Sequence, residues 1–451
     1  MNRLVQINIP EKAKHIIKTI TEAGFEAYVV GGCVRDSILG RMPEDWDITT
    51  SAKPEQVKAL FPRTIDTGIA HGTVTVMMDK EGFEVTTYRI DGKYEDSRHP
   101  KEVTFTPNLE EDLKRRDFTI NAMAYNEEAG LVDLYGGLAD IENKIIRCVG
   151  DAEARFTEDA LRIMRAIRFS AQLGYSIEAD TQVAIRKLAP NLKNISAERI
   201  QVELVKLMVS GHPDTLRVAY ELGVTAVILP EFDEIMATPQ NHPHHRYNVG
   251  EHTLQGLLQV EPDKILRLAV LFHDFGKADT ISTDEEGINH FYGHSEISEE
   301  KARTILRRLR FDNDTVYFVT RLVRYHDYGN EVEPDMRIVR RAVNKIGEDI
   351  FPRLFAVKRA DILSQSDYKR EEKLGNLDKW QQLYEQMKAL NQCVSLKTLA
   401  VTGSDLIAAG MKPGKELGEV LQKLLELVIE EPERNTGEWL LGQVKDWKGL
   451  P

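Results

Sequence analysis

Cysteine is nearly absent: 3 residues in 451, at positions 33, 148 and 393, with no C-x-x-C pair. That spacing excludes a disulfide framework and a cysteine-based structural zinc site, and it favours a reducing compartment. Long apolar runs are missing too. No stretch approaches the ~18–20 apolar residues needed to cross a bilayer. The N-terminus, MNRLVQINIPEKAKH, offers no apolar core for a secretory leader. A soluble cytoplasmic protein with no membrane partner is expected. An excess of positive charge is also lacking. Against 72 acidic side chains stand 59 basic ones, a formal charge of −13. A general positive field therefore cannot hold nucleic acid here, and only local basic surfaces could. Repeats and low-complexity tracts are not found. What is present is ordinary for a folded chain: 42% apolar and 29% charged residues. The length suggests about two to four domains.

The first 150 residues mix short apolar runs with glycine-rich turns. AYVVGG (27–32), DWDITT (45–50), GTVTVMM (72–78) and FEVTTYRI (83–90) read as strands. Glu11–Ala23 and Pro54–Phe61 read as helices. This is an α/β or α+β region. From about Glu142 the apolar residues recur every three or four positions, and the remainder reads as nearly all helix. Seams are expected at Gly150–Asp151, Asn194–Ser196, 238–248 and Asn391–Val394. Two basic runs stand out in this acidic chain: Lys301, Arg303, Arg307, Arg308 and Arg310, then Arg337, Arg340, Arg341 and Lys345. Each alone would be a solvated helix face; together they raise the case for a polyanion-facing surface. Eight of the 12 histidines fall between 242 and 326, a density that asks for a metal or phosphate explanation.

Three constellations carry chemistry. In the first, AYVV runs into Gly31-Gly32 and then CVRDSIL. A strand meets a helix through glycines whose missing Cβ atoms let backbone amides approach a phosphate. Arg35, one turn in, can add a cationic fork. Asp45-Trp46-Asp47 follows. On a strand, Asp45 and Asp47 share a face, and two such carboxylates can hold one or two Mg²⁺ ions against a nucleotide's phosphates. Glu84, on the later strand, is either a third carboxylate of that group or an ordinary strand acid.

The second constellation is EDALRIMRAIRF (158–169), read as one helix opening after Thr157 as N-cap. Asp159, Arg162 and Arg165 then form one stripe, opposite Leu161, Met164 and Ile167. A carboxylate accepts from the exocyclic amine of cytosine or adenine, and a guanidinium donates to the adjacent ring acceptor. Uracil and guanine present a carbonyl where the amine should be. One Asp–Arg pair could thus select C and A without a template. Arg168 falls nearer the apolar stripe, where a structural ion pair competes. In the third, His252 sits at a helix start, and 21 residues later an apolar helix ends in LAVLFHDFGK, with His273-Asp274 and Lys277; Asp361 lies in KRADILSQSD.

GGCVRD (31–36), EDWD (44–47), RRDFTINA (115–122), DLYGG (133–137) and EDALRIMRAIRF occur in the order of the class II tRNA nucleotidyltransferase and bacterial poly(A) polymerase family. This set resembles that branch of the DNA polymerase beta superfamily over about residues 20–210, and GSDLIAAGMKPGKELGEVL (403–421) looks like such an enzyme's tail. The resemblance implies that Gly32 and Arg35 contact the incoming triphosphate and that Asp45 and Asp47 carry Mg²⁺. It also makes Arg116, more than Arg115, a nucleotide contact. It assigns base reading to Asp159 and Arg162 and nucleotide contacts to Arg165 and Arg168. DGKYEDSRHP (91–100) looks like the mobile loop needed for the final adenosine, which disfavours a CC-only enzyme. The histidine region resembles the HD metal-dependent phosphohydrolase superfamily, with His252, His273, Asp274 and Asp361 as ligands. Such mixed donors suit Ni²⁺, Mn²⁺ or Co²⁺; His294 and His326 could add ligands.

The expected fold is α+β: an N-terminal mixed-sheet nucleotidyltransferase head (1–140), a helical neck that reads the base (141–205), a helical body (206–385) with an HD domain at about 245–365, and a helical tail (386–451). The expected reaction adds C, C and A to the 3′ end of tRNA from CTP and ATP. The rivals are a poly(A) polymerase and a phosphohydrolase whose head merely binds RNA.

Overall fold

The computed structural model describes residues 5–92 and 103–448. It falls into two compact units, Met1–Pro230 and Glu231–Pro451. In the first unit the elements run α1 (Glu11–Glu22), β1 (Ala27–Val30), α2 (Gly32–Ile38), β2 (Ile48–Thr50), α3 (Pro54–Leu60), β3 (Thr64–Gly68), β4 (Thr73–Met78), β5 (Glu81–Thr87), β6 (Arg89–Asp91), β7 (Val103–Phe105), α4 (Leu109–Lys114), β8 (Met123–Asn126), β9 (Gly130–Asp133) and α5 (Gly137–Asn143). Helices α6 (Ala152–Glu158), α7 (Leu161–Leu173), α8 (Ala179–Leu188) and α9 (Ala197–Met208) follow, and then the short helices Leu216–Glu221 and Thr225–Ile228.

The sheet is mixed and seven-stranded, in the order β3-β4-β5-β2-β1-β8-β9. β2 runs parallel to β5 and antiparallel to β1, and the hairpin β4–β5 is antiparallel. The alternation of the sequence is used as expected: Val74, Val76, Phe83 and Val85 turn inward, while Glu84 points out. Helix α1 buries Ala13, Ile16, Ile17 and Ile20, one stripe at helical spacing. The four strands expected from β-branched runs are present. Three short strands, β3, β8 and β9, complete the sheet.

Two expectations need correction. Regular β2 begins only at Ile48, so Asp45 and Asp47 lie in the extended stretch before it, not inside the strand. Pairing still reaches back that far, because the Val30 N–H donates to the Asp47 carbonyl at 3.0 Å. The segment 158–169 is also not one helix. α6 ends at Glu158, Asp159 is extended (φ −140°, ψ 104°), and α7 starts at Leu161. Thr157 is therefore no N-cap; its hydroxyl donates back to the Glu153 carbonyl within α6. The segment 91–100 lies outside the described residues from position 93 onward.

The second unit is helical among its described residues, apart from the small hairpin Ser282–Thr283 with Asn289–His290. The helices Val249–Gln259, Lys264–Phe272, His294–Arg308, Asn313–Tyr325 and Phe351–Ser364 enclose one centre. The tail helices Lys415–Glu430 and Gly437–Lys448 build a separate core on Leu424, Leu425, Val428, Leu440 and Val444. Much of the basic charge in the two runs is spent within the chain. Lys301 pairs with Asp279 and Glu234, Arg303 with Glu299, Arg308 with Glu231, and Arg341 with Glu430. Arg340 is buried, donating to the Ile429 carbonyl and to Gln392. No helix of the described residues is long and apolar enough to cross a membrane.

Candidate functional site

In the first unit a cleft of about 610 Å³ opens between the β1–α2 turn and the helices α7 and α9. Gly32, Arg35, Asp45 and Asp47 line one wall; Arg168, Gln172 and Lys206 line the other. Gly31 has φ 80°, a region that only glycine enters cheaply, and a Cβ there would stand 3.0 Å from Arg116 Nη1. The turn therefore needs its first glycine both for the backbone and for the guanidinium beside it. Arg35 is fixed by a bidentate pair with Asp36 (2.9 Å to each oxygen) and by donation to Asn121 Oδ1 at 2.7 Å. Its guanidinium also lies 5.0 Å from the Phe169 ring centroid.

The parallel pairing of Ile48 with Val85 sets Asp47 beside Glu84, both on the face opposite that apolar pair. Desolvation in the cleft, then Glu84 and Asp45, push the Asp47 carboxyl above its ordinary value, against the pull of Arg116. Acids crowded around Asp47 that raise its cost of ionisation are what a divalent cation relieves, and an all-oxygen donor set suits Mg²⁺. Of the Arg115–Arg116 pair, Arg115 is tied to Asp112 at 2.8 Å, whereas Arg116 approaches Asp112 only to 3.5 Å and acts on Asp47.

The neck side chains are each held by a distant or neighbouring partner. Asp159 does not pair with Arg162. Its carboxylate receives Arg199 Nη2 at 2.7 Å and Nη1 at 3.4 Å, and it caps α7 by accepting from the Leu161 N–H at 3.0 Å. Arg162 is held by Glu158 at 2.7 Å and donates to the carbonyls of Arg115 and Arg155. Arg165 clamps Asp117 at 2.6 Å. Burial alone would raise Asp117, but Arg165 and, behind it, Arg162 hold it down at about 2. Arg168 is buried and paired with Glu203 at 2.5 Å, so the structural ion pair wins there, although the residue still borders the cleft. Arg199, Asp117 and Lys206 were not singled out by the sequence reading. Arg199 lies 40 residues from Asp159, a separation that no local pattern reveals.

In the second unit the four expected ligands meet. His252 Nε2 lies 2.9 Å from Asp361 Oδ1 and 3.4 Å from Asp274 Oδ2, and His273 Nε2 lies 3.1 Å from Asp274 Oδ2. His294 and His326 bring their Nε2 atoms to 3.5 and 3.7 Å from Asp274 Oδ1. The outer nitrogens are occupied. His273, His294 and His326 use Nδ1 against the carbonyls of Val270, Phe291 and Val323, and His252 Nδ1 meets Ser364 Oγ at 3.1 Å. That pattern turns each inner nitrogen toward the carboxylates, where a ligand could be held. Gln365 donates to Asp361. Lys277 Nζ stands 2.8 Å from Asp274 Oδ2. Even so, Asp274 Oδ2 is buried and accepts no hydrogen bond of proper geometry among the described residues. Burial would lower His273, but Asp274 and then Asp361 raise it to about 10. The field at this point favours positive charge, and the nitrogen–oxygen donor set fits a later first-row metal.

Comparison with known proteins gives these sites a context. Residues 27–147 match the model of the poly(A) polymerase head domain, residues 174–236 that of the RNA and SrmB-binding site of polymerase A, and residues 279–444 that of tRNA nucleotidyltransferase domain 2. The CCA-adding enzyme of Levilactobacillus brevis is 36% identical over 449 residues, covering 97% of this chain and 98% of that one. This chain belongs to the CCA-adding enzyme family. The family's member from Leuconostoc mesenteroides is 57% identical over 199 residues, a match spanning 44% of this chain and only 50% of that enzyme. The Bacillus stearothermophilus CCA-adding enzyme, solved in complex with CTP, superposes with a TM-score of 0.71 at 30% identity, covering 97% of this chain and 98% of that one. The Thermotoga maritima CCA-adding enzyme, solved with tRNA, shares the fold at a TM-score of 0.59 and 21% identity. The α+β architecture, a mixed-sheet head followed by helices, is the family's own.

Proposed function

We propose that this protein adds C, C and A to the 3′ end of tRNA, using CTP and ATP, in a head of residues 1–140 and a neck of 141–205. The body (206–385) and tail (386–451) are proposed to hold the tRNA. The cleft carries this reading: it gathers the Gly31-Gly32 turn, Arg35, Asp45 and Asp47 on one wall and the neck helices on the other. The RNA 3′-hydroxyl attacks the α-phosphorus in line, and pyrophosphate leaves. Asp45 and Asp47, with Glu84 beside them, would hold Mg²⁺, which when bound neutralises charge on the phosphates and steadies the attacking and leaving oxygens. Gly32 lets the phosphates approach the backbone, and Arg35, oriented by Asp36 and Asn121, faces them. Arg116, Arg165 and Arg168 add positive charge around the nucleotide. Asp159 accepts from the exocyclic amine of C or A, and Arg162 donates to the ring acceptor. Neither needs the other as a partner, since Arg199 and Glu158 hold them separately.

The test is to supply purified protein with tRNA ending at the discriminator base, with CTP, ATP or both, and to sequence the 3′ ends. CCA ends support the reading; runs of A from ATP alone would replace it with a poly(A) polymerase. Asp45→Ala or Asp47→Ala should abolish addition while tRNA binding persists.

A second activity, metal-dependent phosphohydrolysis, is proposed for the body at about 245–365. The convergence of four inward-facing imidazoles on the buried Asp274 and Asp361 carboxylates favours it. His252, His273, Asp274 and Asp361 would hold Ni²⁺, Mn²⁺ or Co²⁺, which when bound lowers the pKa of a water. Phosphate release from simple esters, assayed metal by metal, tests it.

A further inference from the structure

Leading away from the His/Asp cluster is a path of flat rings. His245 meets His252 at 5.5 Å between centroids, His242 meets His245 at 6.1 Å, and His290 meets His242 at 6.4 Å. Tyr292 then stacks on His290 at 5.5 Å with planes 5° apart. A branch runs from His242 to His244, stacked at 4.9 Å and 17°, and on to Tyr368 at 4.9 Å. Both outer ends lie open: Tyr292 is 78% exposed and Tyr368 50%. Their bare ring faces are open to a flat partner. At the inner end His244 and His245 also line a cavity of about 490 Å³, with Lys369, Lys373 and Trp380 on its walls. Lys373 spends its donors on neutral groups, Gln365 Oε1 and His244 Nδ1, so its charge stays available to an anion. Glu372 on the same wall lies 4.0 Å from Lys369 and offsets that charge only in part.

Stacked π faces beside lysines are the means by which proteins hold unpaired bases and their phosphates. The cavity has the size of a small-ligand site, and two residues of its wall, His245 and Gln365, contact His252 and Asp361 of the cluster. We propose that cavity and ring path together bind the end of a single-stranded RNA. The terminal nucleotide occupies the cavity, and the preceding bases stack on His290 and Tyr292. This deepens the proposed hydrolase reading by giving it a strand end as its substrate class, a choice that the outer rings make over a free mononucleotide.

The experiment uses the full chain with a local reporter, Tyr292→Trp, which keeps a stacking ring and adds an indole signal at that point. Hexa-adenylate should quench this signal beyond any change in the unaltered protein. His290→Ala on the same background should weaken the quenching midpoint about tenfold, the size of one lost base–aromatic stack. AMP, which fills only the cavity, should leave the indole unquenched. Equal quenching by a duplex of the same length or by polyglutamate would overturn the proposal in favour of a charge-only surface. Quenching by AMP would overturn the choice of a strand. No quenching by hexa-adenylate would overturn the site. None of these readouts needs turnover, so a wild type without hydrolysis removes only the hydrolase reading.

Discussion

Removing Arg199 should damage base choice more than catalysis. Asp159 is held by three contacts: two from Arg199, at 2.7 and 3.4 Å, and one from the Leu161 N–H at 3.0 Å. Arg199→Ala deletes the first two and leaves the carboxylate in place but free to turn. A well-aligned pair of hydrogen bonds to a base edge discriminates by about 1–3 kcal/mol. Asp159→Ala forfeits its share outright, whereas Arg199→Ala forfeits only alignment, so we expect about 1 kcal/mol, roughly fivefold in CTP-over-UTP preference. The assay is kcat/KM for CTP and for UTP on tRNA lacking CCA, in both single variants and the double. Because Arg199 acts through Asp159, the double variant should discriminate no better and no worse than Asp159→Ala alone. If Arg199→Ala slowed CTP and UTP equally, or if the two losses added, Arg199 would be a structural residue and the templating role of Asp159 would be unsupported.

Three further outcomes follow from the geometry. Asp117 ionises at about 2 instead of 3.8. Its folded pKa is depressed, so its contribution is full above about pH 4 and is lost as pH falls toward 2; Asp117→Asn should cost roughly 2 kcal/mol at pH 7. Urea unfolding at pH 7 and pH 3 should show that gap narrowing, and a constant gap would disprove the linkage. Gly31→Ala must hold φ 80° and meet Arg116 Nη1 at 3.0 Å, so nucleotide addition should fall at least about tenfold while far-UV circular dichroism is unchanged. His273→Ala combined with Asp274→Ala should abolish Ni²⁺ or Mn²⁺ binding by calorimetry and leave CCA addition intact, because the Mg²⁺ carboxylates belong to the other unit; loss of both would show that the sites are coupled.

Much of the candidate site was legible because its residues are grouped in short stretches of chain. A strand, two glycines and a helix cannot hide their turn, and Asp45 and Asp47 stand two apart just before the next strand. The His/Asp cluster was legible for a similar reason, since His273 and Asp274 are adjacent and His252 opens a helix. His294 and His326 emerged fully only in three dimensions, where their Nε2 atoms converge on Asp274. What stayed hidden was the choice of partner. Periodicity put Asp159, Arg162 and Arg165 on one stripe, which invites pairing among them. The chain pairs them instead with Arg199, Glu158 and Asp117. Charge runs misled for the same reason: counting lysines and arginines along a helix says nothing of the acids waiting on the next one.

The break at Asp159 shows why the hidden part matters. In an unbroken helix the Asp159 side chain would project like its neighbours, free to swing among rotamers or to pair with Arg162 one turn on. Such a pair satisfies itself, and a base would have to break it in order to be read. With the backbone extended at Asp159, one carboxylate oxygen caps the next helix and the other receives Arg199. Arg162 is held by Glu158 and two carbonyls. Both readers are then fixed in advance by groups other than each other. Little rotamer entropy remains to be lost when a base binds. Selection of C and A without a template requires that stiffness, because a carboxylate that could turn would also accept from a reoriented wrong base. The unexpected helix break is thus the local irregularity on which the proposed base selection depends.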